Sequence, residues 1–149
     1  MKKQYPLISV ITVSYNAVST IEDTILSVIN QTYPNIEYII IDGGSADGTV
    51  DIIEKYVDRI SYWVSEPDKG IYDAMNKGLK VANGDWAIFM GSDDVFFNNK
   101  VIMLVIERIL IPDNIYYGNV ILKTSHKLYP TSIKSGYQLC LNNFCHQAI

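Results

Sequence analysis

Short apolar segments alternate along this chain with segments in which apolar residues recur at helical spacing. The apolar segments occupy residues 7–13, 37–42, 61–65 and 86–90, and their β-branched residues are typical of buried strands. Strands that alternate with helices are joined by crossovers, so they lie parallel in one sheet. We therefore predict an α/β fold of three layers, with helices on both faces of a mostly parallel central sheet.

The segments between these strands predict the crossover helices. Ser19 followed by Glu22 forms a capping-box signature at the start of the first helix. The apolar faces of the helices are expected at Ile21, Ile25, Val28 and Ile29 in the first, Val50, Ile53, Tyr56 and Val57 in the second, and Ile71, Met75, Leu79 and Ala82 in the third. The pair Asn83–Gly84, which tolerates a left-handed backbone, predicts where the third helix stops.

The remaining segments extend this alternation. Residues 86–90 are almost wholly apolar, which predicts a central strand. A further helix is expected over residues 101–111 and a strand over residues 115–123, whereas the last 25 residues show no clear period.

Size and charge exclude several classes of protein. The chain has 149 residues, 48% of them hydrophobic, which is enough for one domain spanning residues 1–149. With 12 basic and 16 acidic side chains its net charge is -4, which argues against nucleic acid as a partner. Cys140 and Cys145 suggest neither a disulfide framework nor a zinc site, and no segment approaches the ~20 apolar residues of a membrane helix. We expect a cytoplasmic protein.

Polar residues follow the strands at three places. They are Tyr15–Asn16, Asp42–Gly44 and Gly91–Asp94. In an open parallel sheet the ligand crevice lies outside the carboxyl ends of the strands, where the strand order reverses. The three segments are therefore expected to converge on one edge of the sheet.

The pair Asp93–Asp94 stands directly after an apolar strand. Adjacent carboxylates repel each other there, and a divalent cation offsets that cost. Mg²⁺ or Mn²⁺ takes one or two protein carboxylates and completes its shell with phosphate oxygens and water, so a diphosphate is the natural complement. Two alternatives are that the pair caps the helix that begins near Lys100 and that it lies in a solvated turn.

Taken in order, four motifs resemble the GT-A glycosyltransferases of family 2, a group of inverting, nucleotide-sugar-dependent enzymes with a Rossmann-like fold. The motifs are SVITVSYN at residues 9–16, IDGGSADGT at 41–49, DKGIYDAMNKG at 68–78 and GSDD at 91–94. They cover residues 5–97, and CHQA at 145–148 resembles the family more loosely.

The resemblance implies a set of site residues. The base of a nucleotide-sugar donor would be held by Thr12, Val13, Ser14, Tyr15, Asn16 and Asp42. Asp93 would lie near the ribose, and Asp94, with Asp93 beside it, would hold Mn²⁺ or Mg²⁺ against the donor phosphates. Gly43 would allow a close approach of the ligand or serve as a turn glycine. Tyr72, Asp73 and Asn76 would line the donor cleft, with a solvated helix face as the alternative.

Two departures from the family pattern limit this assignment. Met75 stands where many relatives carry an arginine that approaches the donor. An inverting transfer also needs a general base near the acceptor hydroxyl, and we expect it in an acceptor-binding part beyond Ile149, since nothing places Asp113 there. Lys69 and Lys77 are expected either to offset phosphate charge or to be surface lysines, and His146 either to face the site or to be incidental.

The implied function is transfer of a sugar from a nucleotide-diphosphate sugar, UDP-linked, to a glycan or lipid-linked acceptor in bacterial polysaccharide biosynthesis. This function is compatible with peripheral association at the inner face of the membrane, and the sequence gives no indication of oligomeric state. The alternative is a noncatalytic, metal-dependent nucleotide-binding module. A phosphoryl-receiver domain is disfavoured because its acidic pair follows the first strand, which here ends in Ser14–Tyr15–Asn16.

Overall fold

The computed structural model describes residues 5–107 and, further along, the strand residues 120–121 and 128–129. The chain forms two compact units, residues 1–107 and 108–149. In the second unit, Val120–Ile121 and Leu128–Tyr129 pair as antiparallel strands β5 and β6. The prediction of one domain over residues 1–149 is not tested by this division and stays a prediction.

The first unit is built on a four-stranded parallel sheet with the order β3-β2-β1-β4. Its strands are β1 (Ile8–Ser14), β2 (Ile36–Asp42), β3 (Tyr62–Ser65) and β4 (Trp86–Gly91). Its helices are α1 (Ile21–Ile29), α2 (Thr49–Glu54), α3 (Ile71–Val81) and α4 (Val101–Ile106). The chain adds β2 and β3 on one side of β1 and then β4 on the other, so the strand order reverses at β1. The predicted α/β class and parallel sheet are confirmed.

Apolar clusters cover both faces of the sheet. On one face, Ile8 and Val10 of β1 pack with α1, α2 and α4. On the other face, Ile11 and Val13 of β1 pack with Ala74 of α3. Because successive strand residues point to opposite faces, a strand buried on both sides must be apolar at almost every position, as β1 is. The helix–sheet–helix arrangement confirms the three predicted layers.

Helix α3 packs more closely on the sheet than its apolar residues predict. Ala74 and Gly78 are buried in the contact, whereas Leu79, expected on the apolar face, is 45% exposed. A Cβ placed on Gly78 would lie 2.5 Å from Cγ2 of Ile11. Small side chains therefore set the packing face, which rotates the helix and turns Leu79 outward.

Helix α3 stops before Asn83–Gly84, as predicted, but neither residue adopts the left-handed backbone that this pair tolerates. The helix ends at Ala82 in extended backbone, with φ −69° and ψ 134°, and Gly84 does not have a positive φ. The Glu37 carboxylate accepts hydrogen bonds from N and Nδ2 of Asn83 (both 2.8 Å), and Ser9 Oγ accepts one from Gly84 N (2.9 Å). A Cβ on Gly84 would lie 2.5 Å from Ser9 Oγ, so glycine is required for space.

The expected capping box at α1 is also absent. The N-cap residue is Thr20, whose side chain makes no cap hydrogen bond, and Glu22 instead accepts a hydrogen bond from the Tyr56 hydroxyl (2.8 Å). The chain before the helix is held from elsewhere, since Ala17 N donates to Thr49 Oγ1 (2.8 Å). A long-range contact has replaced the local cap.

Three element boundaries differ from expectation. Helix α2 ends at Glu54, so Val57 falls in a 3₁₀ turn and is 47% exposed. Within the described residues β4 pairs only with β1, so it is the outermost strand there and not a central one. Helix α4 covers the first part of the helix predicted over residues 101–111, and β5 lies inside the strand predicted over residues 115–123.

Among the described residues, no helix has the length and apolar character needed to cross a membrane.

Candidate functional site

The carboxyl ends of the four strands lie side by side along one edge of the sheet. Ser14 is in register with Asp42, Asp42 with Ser65, and Val13 with Gly91. Two of the loops that leave this edge are the β2 loop, residues 43–48, and the β4 loop, residues 92–100. The three polar segments therefore follow neighbouring strand ends, as the sequence predicted.

Asp42 is fully buried beneath the β2 loop and accepts five hydrogen bonds. Its Oδ1 accepts from Oγ of Ser14 (2.9 Å) and of Ser45 (2.6 Å). Its Oδ2 accepts from Oγ of Ser65 (2.6 Å) and from the backbone N–H groups of Gly44 (3.1 Å) and Ser45 (2.8 Å). The carboxylate thus fixes the β2 loop to the ends of β1 and β3.

These hydrogen bonds also determine the charge of Asp42. Burial alone raises the pKa of a carboxyl group, but the hydrogen bonds from Ser45, Ser65 and Ser14 outweigh burial and lower the pKa of Asp42 below its ordinary 3.8. A base N–H would have to displace one of these donors to reach the carboxylate. The expected contact between Asp42 and a base stays a prediction, and the contacts observed are those of an internal anchor.

Of the predicted residues 12–16, only Tyr15 and Asn16 have exposed side chains. Thr12 is buried and its Oγ1 lies 3.1 Å from the Tyr38 hydroxyl, while Val13 belongs to the apolar core. Thr12 and Val13, like Ser14, therefore face the protein interior with their side chains. Any contact that they make with a ligand has to come from their backbone.

Asn16 locks the end of β1 to the β2 loop. Its φ is 48°, in the left-handed region that asparagine tolerates. Its backbone N–H donates to Ser45 Oγ (2.7 Å), and its Oδ1 accepts from Ala46 N (3.1 Å). The neighbouring Tyr15 is left 66% exposed. The bend at Asn16 thus presents an aromatic ring beside the strand ends.

Asp68, to which the sequence motifs gave no role, reaches this edge from the loop that follows β3. A Cβ placed on Gly43 would lie 2.7 Å from Asp68 Oδ2 and 3.3 Å from Tyr15 Cδ2. Asp68 Oδ1 accepts a hydrogen bond from Gly70 N (2.7 Å). Spacing along the chain gave no signal for this contact, since residues 43 and 68 come together only through the parallel register of β2 and β3.

The predicted residues of α3 are near the same loop. Tyr72 is 55% exposed and Asn76 is exposed. Asp73 Oδ2 accepts from Lys69 N (3.1 Å). Lys77 Nζ lies 2.8 Å from Glu66 Oε1, and that carboxylate raises the pKa of Lys77. The Lys77 ammonium group is therefore engaged by the loop that precedes α3.

The carboxylates of Asp93 and Asp94 lie over Gly91 at the end of β4. A Cβ on Gly91 would be 2.9 Å from Asp93 Oδ1 and 3.2 Å from Asp94 Oδ2, so both oxygens face the same small volume. Both side chains are exposed. Helix α4 begins after Lys100, so the alternative in which the pair caps that helix is wrong, and the pair lies in an exposed turn.

Thr24 of α1 holds the backbone of this acidic turn. The Thr24 side chain is buried, and its Oγ1 lies 3.0 Å from Ser92 O and 2.8 Å from Asp94 O. Gly91 N donates to Asp94 Oδ2 (3.2 Å), which fixes that carboxylate from the other side. The positions of the two acidic side chains are thus set by α1 and β4 together.

The acidic turn fits a divalent cation that is shared with a ligand. Among the residues that the structure describes, no group of three or more His, Cys, Asp or Glu side chains is arranged to hold a metal. Two carboxylate oxygens over one point are the number that Mg²⁺ or Mn²⁺ takes from a protein when phosphate oxygens and water complete the shell. The donor set therefore suits a cation bound together with a diphosphate.

Several predicted residues lie outside the described part of the chain. These are Asp113, Cys140, Cys145 and His146.

Comparison with known proteins identifies the family. Residues 9–135 match the sequence model of Glycosyl transferase family 2. The chain belongs to this family. Its fold is the GT-A fold: it superposes on S. aureus TarS 1-349 in complex with UDP with a TM-score of 0.64 at 30% identity, over 69% of this chain and 32% of TarS 1-349.

Two curated relatives in the family extend the comparison. A PGL/p-HBAD biosynthesis glycosyltransferase of Mycobacterium bovis (strain BCG / Pasteur 1173P2) is 30% identical over 97% of this chain and 58% of its own length. The putative teichuronic acid biosynthesis glycosyltransferase TuaG of Bacillus subtilis (strain 168) is 44% identical over 64% of this chain and 39% of its own length. The chain thus spans about half the length of the curated relatives that it matches.

Proposed function

We propose that residues 5–107 bind a nucleotide-diphosphate sugar, UDP-linked, and that the protein transfers its sugar to a glycan or lipid-linked acceptor in bacterial polysaccharide biosynthesis. The observation that carries this proposal is the pair of carboxylate oxygens over Gly91 at the strand-end edge. Family membership and the similarity to TarS in complex with UDP support it. The names of the relatives, which refer to PGL/p-HBAD and teichuronic acid biosynthesis, support the class of acceptor.

In this proposal Asp94 and Asp93 hold Mn²⁺ or Mg²⁺ against the donor diphosphate. When bound, the cation supplies positive charge where the leaving nucleoside diphosphate gains negative charge, which stabilises the transition state more than the ground state. Thr24 and Gly91 keep the two carboxylates in place before the donor arrives. Arranging these groups in advance avoids their reorganisation during the reaction.

The other exposed residues at the edge form the remainder of the proposed donor site. Tyr15 offers a ring face to the base, while Asn16 fixes that ring relative to the β2 loop. Tyr72, Asp73 and Asn76 of α3 line the side of the site next to β3.

Transfer with inversion requires a base near the acceptor hydroxyl, on the face of the sugar opposite the leaving group. We assign no residue of the described part to that role. The proposed acceptor also suggests where the protein works, at the cytoplasmic face of the membrane.

The proposal is tested by thermal unfolding of the 149-residue chain with UDP, with and without Mn²⁺. A ligand at about 100 times its Kd stabilises the folded state by about 2.7 kcal/mol. We expect a raised Tm only when UDP and Mn²⁺ are present together, and we expect Asp94→Asn to abolish the increase. The matched control is Asp58→Asn, an exposed aspartate in the 3₁₀ turn, which should respond like the wild type.

Two results would contradict the proposal. One is stabilisation by UDP that does not depend on the metal, and the other is stabilisation that survives in Asp94→Asn. Metal-dependent stabilisation without release of UDP from UDP-sugars, with an acceptor extract present, would instead favour the noncatalytic nucleotide-binding alternative.

A further inference from the structure

A carboxylate and an exposed aromatic ring meet above Gly43, at the strand-end edge but separate from the acidic turn. The position that a Cβ of Gly43 would occupy is 2.7 Å from Asp68 Oδ2 and 3.3 Å from Tyr15 Cδ2. Asp68 follows β3 and Tyr15 follows β1, so two loops from either side of β2 meet over a residue that has no side chain. Gly43 itself is buried beneath them.

Within the described part of the chain, only one oxygen of the Asp68 carboxylate accepts a hydrogen bond. Oδ1 accepts from Gly70 N (2.7 Å), which holds the side chain in a tight turn before α3. No donor within residues 5–107 bonds to Oδ2, which is the oxygen over Gly43. An oxygen of the half-buried Asp68, beside the exposed ring of Tyr15, is therefore available to a ligand.

Asp42 differs from Asp68 in this respect. All five hydrogen bonds to Asp42 come from protein donors, and its side chain is completely buried. A hydrogen bond from a ligand to Asp42 would have to break one of these contacts, whereas a hydrogen bond to Asp68 Oδ2 would break none among the described residues. At this end of β2, Asp68 is the carboxylate that is open to a ligand.

A ring face beside a hydrogen-bond acceptor is the arrangement that recognises a nucleobase. Bases stack on aromatic side chains, and a carboxylate accepts hydrogen bonds from base N–H groups. Uracil presents a single ring N–H, whereas cytosine presents at the same position an unprotonated nitrogen, whose lone pair a carboxylate repels. With Oδ1 already bonded, the one open oxygen matches a single N–H.

We propose that Asp68 determines the base specificity of the donor site, because its Oδ2 accepts the ring N–H of uracil stacked on Tyr15. This inference rests on the proposed function, since it names a residue that selects the base of the same donor. Gly43 contributes to this arrangement of Asp68 and Tyr15. Its φ is not in the left-handed region, so the position requires glycine for the space that the Asp68 carboxylate occupies.

The test compares the binding of UDP and CDP, each with Mn²⁺, to wild type and to Asp68→Asn by titration calorimetry. The amide oxygen of the introduced asparagine can still accept from Gly70 N, so the turn is preserved. Its amide NH₂ group then replaces the charged Oδ2 over Gly43 and cannot accept a hydrogen bond. We expect the wild type to prefer UDP. In Asp68→Asn we expect UDP affinity to fall about ten- to hundredfold, the cost of a hydrogen bond to a charged group, and CDP to bind as well as or better than before.

The role of Gly43 is tested by a double-mutant cycle with Gly43→Ala and Asp68→Ala. The added methyl group would collide with Asp68 Oδ2, so Gly43→Ala alone should weaken UDP binding at least about tenfold through displacement of that carboxylate. In the Asp68→Ala background the same substitution should change UDP affinity less than twofold. Additive effects of the two substitutions would contradict the shared role.

The outcomes separate this inference from the proposed function. If wild type binds no nucleoside diphosphate in a metal-dependent way, the proposed function is wrong and the inference falls with it. If wild type binds UDP with Mn²⁺ but Asp68→Asn keeps the same ratio of UDP to CDP affinity, only the inference is wrong. An equal loss of UDP and CDP affinity, together with a lowered Tm, would show that Asp68 is only structural. The control variant is again Asp58→Asn, which should keep the wild-type preference.

Discussion

Two acidic groups at the ends of β2 and β4, the strands on either side of β1, are used in opposite ways. Asp42, at the end of β2, is completely buried and its carboxylate is saturated by hydrogen bonds from serine hydroxyls and backbone N–H groups. Asp93 and Asp94, three residues or fewer past the end of β4, are exposed, and their oxygens share one small volume. Asp42 is an internal structural anchor, whereas Asp93 and Asp94 face solvent.

The difference follows from what lies next to each strand. β2 has strands on both sides, so Ser14 and Ser65 reach Asp42 from its two neighbours. Among the described residues β4 has a neighbour only at β1, and the acidic turn is held by its backbone through Thr24. A buried carboxylate surrounded by donors becomes a structural anchor, whereas the exposed carboxylates of the acidic turn lie where a cation can approach them from solvent.

The largest expected effect that separates the two groups is on stability. Asp42→Ala leaves five donors at a buried position without their acceptor, and it should lower the free energy of unfolding by at least about 3 kcal/mol. Asp94→Ala removes an exposed side chain and should change it by no more than about 1 kcal/mol. Urea unfolding of both variants without ligand measures the difference. Equal losses would mean that the two acidic groups do not divide the roles in this way.

A smaller effect is expected at the two threonines that hold the loops. Thr49 Oγ1 accepts from Ala17 N and donates to Asp47 (2.6 Å), so Thr49→Val leaves a buried N–H unpaired and should cost about 1–2 kcal/mol of stability. Thr24→Val removes the one hydroxyl that two carbonyl groups of the partly exposed β4 loop share, and it should cost about 0.5–1 kcal/mol.

In ligand binding the order should be reversed, with the larger loss of affinity in Thr24→Val. Because Thr24 positions the backbone of the acidic turn, Thr24→Val should weaken binding of UDP with Mn²⁺ by about tenfold, the usual effect of losing a group that orients a metal ligand. Thr49→Val should leave that affinity within about twofold, a difference of roughly 0.4 kcal/mol. Calorimetry well below both unfolding temperatures gives the comparison. A larger loss in Thr49→Val than in Thr24→Val would reverse the roles of the two loops.

Much of this fold follows from local pattern. The alternation of apolar runs and helical periods predicted the four strands and their crossover helices, because burial on both faces imposes continuous apolar runs on parallel strands. The exceptions are positions where a distant contact decides. Position 84 requires glycine for lack of space against Ser9, and Leu79 is exposed because Gly78 sits against Ile11. Neither the contact of Gly84 with Ser9 nor that of Gly78 with Ile11 has a signature within a short window of sequence.

The residues of the candidate site likewise divide into those that a local pattern predicted and those that a distant contact decides. The acidic pair at Asp93–Asp94 was predictable because its position after an apolar strand is a local feature. The internal role of Asp42 was not, since it also depends on Ser14 and Ser65, which only the register of the neighbouring strands brings to this carboxylate. Asp68 was missed for the same reason, because only the register of β2 and β3 places it over Gly43.

The smallest expected effect is on acid stability. The folded pKa of Asp42 lies below its ordinary 3.8, because hydrogen bonds from Ser45 and Ser65 outweigh burial. A group with a lowered pKa contributes stability that is fully present above the unfolded value and is lost as the pH falls through the folded value. Between about pH 5 and pH 2, wild type should therefore lose more stability than Asp42→Asn.

This acid effect should be smaller than that of Asp42→Ala, because protonation removes the charge but leaves both oxygens in place to accept hydrogen bonds. Glu37 and Asp47, whose pKa values are also lowered by hydrogen bonds, remain in every variant and set the common background. Urea unfolding across this pH range gives the slopes. If the free energy of unfolding of Asp42→Asn fell with pH as steeply as that of wild type, the charge of the Asp42 carboxylate would contribute nothing to stability. The five hydrogen bonds alone would then account for its anchoring role.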